Sequence, residues 1–133
     1  MATFPLRIAT PDGMLYDGNV ERVIVRSVTG DLAVLAGHSN YCTPLGMGEA
    51  TVVEEDGNRR TAACIGGMLS VMDGSCHLLA TTWEWKEDID KERAENAKMR
   101  AEERLKQDNL SKQEQILAEA KLQRALVRLS VKE

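Results

Sequence analysis

All ten glycines and all three prolines of this 133-residue chain lie at or before Gly74. These residues punctuate turns and interrupt helices, so the chain before that point must be rich in turns. The stretch after it is free to run as unbroken helix. Charge changes nearby. Residues 1–86 carry 6 basic and 10 acidic side chains, a net of −4, whereas residues 87–133 carry 11 of each, a net of zero. The two shifts predict a boundary near Thr82–Lys86, between a first and a second domain.

The first domain reads as β structure. VERVIVRS (20–27), DLAVLA (31–36), EATVVEE (49–55), RRTAACI (59–65), MLSVMD (68–73) and CHLLATT (76–82) are short and rich in β-branched residues, with PDG, TG, EDGN and DG as turn signals between them. EDGN before Arg59 predicts a tight hairpin, because Asp-Gly supplies the positive φ angles of a primed turn. Short strands at this density, with no helical pattern among them, imply a β-sandwich or flattened barrel rather than a parallel α/β sheet.

The second domain reads as an antiparallel αα-hairpin. The first helix, roughly 88–106, has a narrow, alanine-rich apolar stripe of Ile89, Ala94, Ala97, Ala101 and Leu105. In the second, Ala118, Leu122, Ala125 and Leu129 recur at helical spacing, and Ile116, Leu117 and Leu126 are expected to widen that face. SKQE (111–114) predicts a capping box, with Ser111 capping the helix and Glu114 returning the bond. KQDNL before it supplies the reversal. Alanines bury little area, so the pairing is expected to be marginally held and open to a ligand-driven switch.

EDIDKERA (87–94) sets Asp90 three residues before Arg93, one helical turn apart. If the reversal centres near Asn109, Arg93, Arg124 and Arg128 cluster at the open end of the hairpin, with Arg100 about 10 Å further along. Clustered guanidiniums need carboxylates or an anion between them, and their forked donors suit phosphates. The pattern leaves two readings open, a solvated face of mixed ion pairs or a polyphosphate site. No GxxxxGK[ST] loop is present.

Other constellations are weak. His38 and Cys42 lie four apart in a β/loop region, where that spacing makes no nucleophile–base pair. Cys76 and His77 are neighbours on a strand and point to opposite faces, which disfavours a zinc site with Cys64 and His38. No catalytic residue and no metal site is expected, and a net charge of −4 argues against nucleic acid as a partner. Three cysteines without CxxC spacing fit a reducing compartment, and no signal-like or membrane-length apolar run is present.

Four stretches in order carry a resemblance: DGNVERVIVRSVTGDLAVLAGH (17–38), IGGMLSV (65–71), IDKERA (89–94) and RALVRLSV (124–131). On these, the chain resembles the ε subunits of bacterial F-type ATP synthases over essentially its whole length. IDKERA fits the Ile/Leu-Asp-x-x-Arg-Ala motif that opens the first C-terminal helix in ATP-binding members. The resemblance implies a ten-stranded β-sandwich over 1–84, a hinge at 85–88 and the helical hairpin over 89–133, in a non-catalytic central-stalk subunit. The sandwich would bind the γ subunit and touch the c-ring, coupling rotation to catalysis. The hairpin would extend into the α/β catalytic head and inhibit ATP hydrolysis.

The resemblance further implies no required cofactor but ATP as a regulatory ligand, on Ile89, Asp90, Arg93 and Ala94, with Arg100, Arg124 and Arg128 on the phosphate side. It implies a c-ring contact at Asp31 and His38, and peripheral association with the cytoplasmic face of a bacterial plasma membrane. At that contact the family often reads Leu-Pro-Gly-His-Ala-Pro-Leu, whereas this chain has LAGHSNYCTPL and keeps Gly37 and His38. The alternative from another class is a stand-alone β-sandwich and coiled-coil scaffold with no nucleotide site.

Overall fold

A computed structural model describes residues 2–133, which fall into two units, one ending at Lys86 and the other running Glu87–Glu133. The first holds six strands: β1 (Phe4–Thr10), β2 (Gly13–Ser27), β3 (Gly30–Leu35), β4 (Tyr41–Glu54), β5 (Arg59–Met72) and β6 (Ser75–Trp85). Their order is β1-β6-β5-β4-β2-β3, and β1 also pairs with β2, so the sheet closes into a flattened barrel. The β1–β6 pair is parallel and every other pair antiparallel.

The fold class is as expected, but the strands number six rather than ten. The difference lies in bends that do not break. β2, β4 and β5 run 15, 14 and 14 residues. The β2–β4 register jumps from Ile24↔Thr51 to Ser27↔Leu45, and β5 turns at Gly66 and Gly67, whose φ angles are 74° and 131°. RRTAACI and MLSVMD are therefore two arms of one strand. Period-2 alternation fills the interior with Phe4, Leu6 and Ile8 of β1, Val23 and Val25 of β2, Leu69 and Val71 of β5, and Leu78 of β6.

The turns correct one expectation. At Glu54–Asn58 only Gly57 has positive φ, 86°, and its N–H donates to the Glu54 carbonyl at 2.9 Å while Glu54 N–H donates to Asn58 at 2.8 Å. This is a three-residue loop with a glycine bulge, not a primed two-residue turn. The primed turn lies at Asp73-Gly74, where φ is 50° and 82° and Met72 pairs with Ser75. One loop residue more or less decides which glycine offset applies, and composition does not reveal it.

Near the end of β6, Trp83 and Trp85 meet edge to face, with centroids 5.3 Å apart. Arg60 stacks 3.8 Å over Trp85, and Tyr16 packs 6.1 Å from it while donating its hydroxyl to Glu54 at 2.9 Å. Burial, then the hydrogen bond and charge of Glu54, push the Tyr16 phenol up to about 12. The second unit holds α1 (Lys91–Leu105) and α2 (Lys112–Lys132), preceded by a 3-10 turn at Lys86–Asp88.

Two outcomes follow. A Cβ at Gly67 would lie 2.1 Å from the Leu79 carbonyl oxygen, at a φ that L-residues avoid, so Gly67→Ala should destabilise the chain by about 3 kcal/mol or more in urea unfolding. The folded state holds the Tyr16 proton more tightly than the unfolded chain, about 12 against 10.0. The resulting stability is fully present below pH 10.0 and lost as pH rises through about 12. Tyr16→Phe should flatten that part of the stability–pH curve.

Candidate functional site

The second unit begins with a residue whose side chain is already in use. Asp90 has extended φ and ψ of −85° and 104°, and its carboxylate accepts the Arg93 backbone N–H at 3.1 Å, capping α1. Its own carbonyl takes the Ala94 N–H at 3.0 Å. Aspartate suits this position because it satisfies an orphan donor and meets the positive helix end with negative charge. The three-residue spacing is thus an N-cap spacing, and Asp90 meets the Arg93 backbone rather than its guanidinium. It also sets the helix start at Lys91, later than the sequence pattern indicated.

The two helices share a stripe in which Ala94 and Ala101 of α1 and Ala118 and Ala125 of α2 are buried. Ala97, Leu105, Leu122 and Leu129 are half-buried. Ile116, Leu117 and Leu126 do not widen it, being 56%, 62% and 40% exposed. Val127 and Val131 are buried instead. They form a second stripe, because Val127 lies about 200° round the helix from Ala125.

The chain reverses at Asn109, whose φ of 67° is the left-handed conformation that asparagine tolerates. Ser111 then caps α2 by accepting the Glu114 N–H at 3.1 Å. The Glu114 carboxylate does not return the bond in the expected box. It accepts from Arg104 Nη2 at 2.6 Å, joining the helices at the closed end of the hairpin. These two residues lie five positions either side of Asn109, so a count outward from the reversal could have found the pair.

That pairing fixes the level of the rest. With Arg104 beside Glu114, an antiparallel register sets Asp90 level with roughly Arg128, Arg93 with Ala125, and Arg100 with Ala118, at 1.5 Å per residue. Arg93, Arg124 and Arg128 therefore lie toward the open end, as their spacing predicted. Arg93 and Arg124 are exposed, and among the described residues their side chains have no hydrogen bond or ion pair. Arg128 is half-buried and has a partner. Arg100 Nε donates to the Asn96 carbonyl at 3.3 Å, along its own helix. Ile89 and Ala94 are each 3% exposed.

In the first unit, Asp31 is exposed and accepts from Arg26 Nε at 3.1 Å. His38 ends a turn in which its N–H donates to the Leu35 carbonyl at 3.2 Å, with Gly37 at φ 82°. Proline is favoured one position before such a glycine. Ala36 stands there, and the turn forms nonetheless because Gly37 carries the unusual angle. His38 Nδ1 donates to the Ser39 carbonyl at 2.7 Å, and the ring lies 6.0 Å from Tyr41.

The thiols offer little chemistry. Burial pushes Cys64 up to about 12 and Cys76 up to about 11, which keeps both in the unreactive thiol form. Cys76 is buried while its neighbour His77 is exposed. Among the described residues no group of three His, Cys, Asp or Glu side chains could hold a metal ion. Among those residues no helix is long and apolar enough to cross a membrane.

The chain matches two families end to end. Residues 3–86 match the family described as ATP synthase, Delta/Epsilon chain, beta-sandwich domain, and residues 87–133 match ATP synthase, Delta/Epsilon chain, long alpha-helix domain. It is 41% identical over 129 residues to the ATP synthase epsilon chain of Caldanaerobacter subterraneus subsp. tengcongensis, covering 97% of this chain and 93% of that one. To the ATP synthase epsilon chain of Bacillus velezensis it is 44% identical over 133 residues, covering 98% of each. A chain in the structure of the Euglena gracilis mitochondrial ATP synthase (OSCP/F1/c-ring) shares the fold with a TM-score of 0.85 at 24% identity, over 98% of this chain and 81% of that one. A chain of the Tetrahymena thermophila mitochondrial ATP synthase central stalk and c-ring does so with a TM-score of 0.70 at 13% identity, over 97% and 96%.

Asp90→Ala should lower the stability of the helical unit by about 1 kcal/mol through loss of the cap, whereas Asp90→Asn should change it by only a few tenths. Thermal melts followed by far-ultraviolet circular dichroism check this directly.

Proposed function

The chain belongs to the ATP synthase Delta/Epsilon chain family, and from that membership we propose that it is the ε subunit of a bacterial F-type ATP synthase. In this reading it catalyses nothing itself. The β-sandwich binds the γ subunit and the c-ring, with Asp31 and His38 at the ring contact, and helps couple ring rotation to the catalytic head. The helical hairpin regulates ATP hydrolysis by extending into the α/β head. The complex holds the chain at the cytoplasmic face of the plasma membrane as a peripheral component. The observation that carries the proposal is the match of both units, in order over residues 3–133, to the two domains of one family.

ATP acts as the regulatory ligand in the same proposal. Asp90 uses Oδ1 for the cap, which leaves Oδ2 to accept from an amine or a ribose hydroxyl beside Ile89 and Ala94. Arg93 and Arg124, exposed and unpaired among the described residues, supply forked donors for phosphate oxygens, with Arg100 and Arg128 near them. Bound ATP holds the hairpin closed, because only the closed form gathers both helices' arginines. When the hairpin inserts into the head, the same cations meet carboxylates, and this contact weakens as salt rises.

Titration calorimetry of the purified chain with ATP should give saturable binding. Arg93→Ala or Arg124→Glu should weaken it by about tenfold or more, since each removes a charge-assisted hydrogen bond. Unchanged binding and unchanged inhibition of ATP hydrolysis in both variants would remove the arginines from the mechanism. Absence of binding by the wild-type chain would remove the ATP site and leave the coupling role.

A further inference from the structure

Among the described residues, five of the six strands pair with at least two neighbours. β3 pairs with β2 alone, so it is the one strand of the six that lacks a second neighbour along its whole length.

The register shows which groups that edge presents. Ser27 pairs with Gly30 across a two-residue turn, followed by Val25↔Leu32 and Val23↔Val34. Val28 N–H points the other way and donates to the Pro44 carbonyl on β4 at 3.4 Å. Gly30, Leu32 and Val34 therefore direct their backbone groups toward β2, and Asp31, Ala33 and Leu35 direct theirs outward. The Leu35 carbonyl is taken by the His38 N–H at 3.2 Å. What remains is an unpaired ladder: the N–H and C=O of Asp31 and Ala33, and the N–H of Leu35.

Natural sheets blunt open edges with lysine, proline or a bulge. GDLAVL has neither lysine nor proline, and its one charge, Asp31, is already bridged to Arg26 at 3.1 Å. Leu35 is 50% exposed and Val28, in the adjoining turn, is 63% exposed. The edge is therefore fit for pairing.

We propose that β3 is completed in the assembled complex by an extended segment of a neighbouring subunit, which adds a strand at Asp31, Ala33 and Leu35. The inference rests on the assignment of the chain to a multi-subunit stalk. The segment carries an apolar residue beside Leu35, a small one beside Ala33 and a basic one beside Asp31, at alternate positions. A second copy of this chain fits poorly. Two-fold pairing centred on Ala33 would set Asp31 of each copy against Leu35 of the other, and would join two units whose sequences each carry a net charge of −4.

Amide hydrogen exchange tests this on the isolated chain and on the intact ATP synthase purified with this chain in place. The amides of Asp31, Ala33 and Leu35 should slow by roughly 100-fold in the complex. Ala33→Pro removes the central outward donor while leaving the β2–β3 bonds intact, a substitution that edge strands tolerate. It should weaken incorporation by about tenfold, with Ala33→Ser incorporating normally. If Ala33→Pro does not fold, the wild-type exchange data decide. Incorporation without slowed exchange at these amides overturns the inference and leaves the subunit assignment standing. A dimer of the isolated chain with the same amides protected overturns the choice of partner. Failure of the wild-type chain to incorporate overturns the subunit assignment and the inference together.

Discussion

Closure of the sheet depends on β1. Its Leu6 pairs with Gly18 on one side and Cys76 on the other, so seven residues join the start of the unit to its last strand. The same strand sends Phe4, Leu6 and Ile8 into the interior at 4%, 0% and 0% exposure, each worth about 2–3 kcal/mol of burial. The β1–β6 pairing is parallel and spans nearly the whole unit in sequence. The core is therefore incomplete until β6 has docked, which makes this a fold of long-range contacts. The bend at Gly67 belongs to the same requirement. There β5 comes so close to the β6 backbone that any side chain would collide with the Leu79 carbonyl.

The helical unit is built on the opposite principle. Its inter-helix stripe is mostly alanine, and its polar tie, Arg104 to Glu114, joins side chains 50% and 44% exposed, worth about 0–1 kcal/mol. Each helix nevertheless carries its own N-cap, Asp90 for the 15 residues of α1 and Ser111 for the 21 of α2. Neither cap depends on the other helix. Separating the helices would break weak packing and leave both helix starts capped.

Much of this was legible in the chain. The disappearance of glycine and proline after Gly74 separated β from α because turn chemistry is local. The alanine stripe and Ser111 cap followed from helical periodicity for the same reason. The features that escaped are non-local or set by one-residue differences. Strand count depended on whether β2, β4 and β5 broke or bent, which the neighbouring strands decide. Asp56-Gly57 and Asp73-Gly74 are the same dipeptide in different turns. Glu114 had a local partner in the expected box and took Arg104 from the other helix instead. At the candidate site the level of the arginines along the hairpin was readable from spacing, but the occupation of Asp90 by a backbone N–H was not. Asp-x-x-Arg serves an ion pair and an N-cap equally well.

That last ambiguity bears on how the proposed sensor would be assembled from ordinary parts. The helical unit has 11 cations and 11 anions, enough to pair every charge. The pairing is uneven. Arg104 is bridged at the closed end, whereas Arg93 and Arg124, toward the open end, have no side-chain partner among the described residues. Asp90, three residues before Arg93, has one oxygen committed to the helix cap. An anion arriving at the open end would thus meet cations that no carboxylate has claimed. Whatever it contributes by drawing the two helices' arginines together adds directly to the weak packing of the closed form. In the proposed role, packing this slight would let a modest ligand preference decide the state of the hairpin.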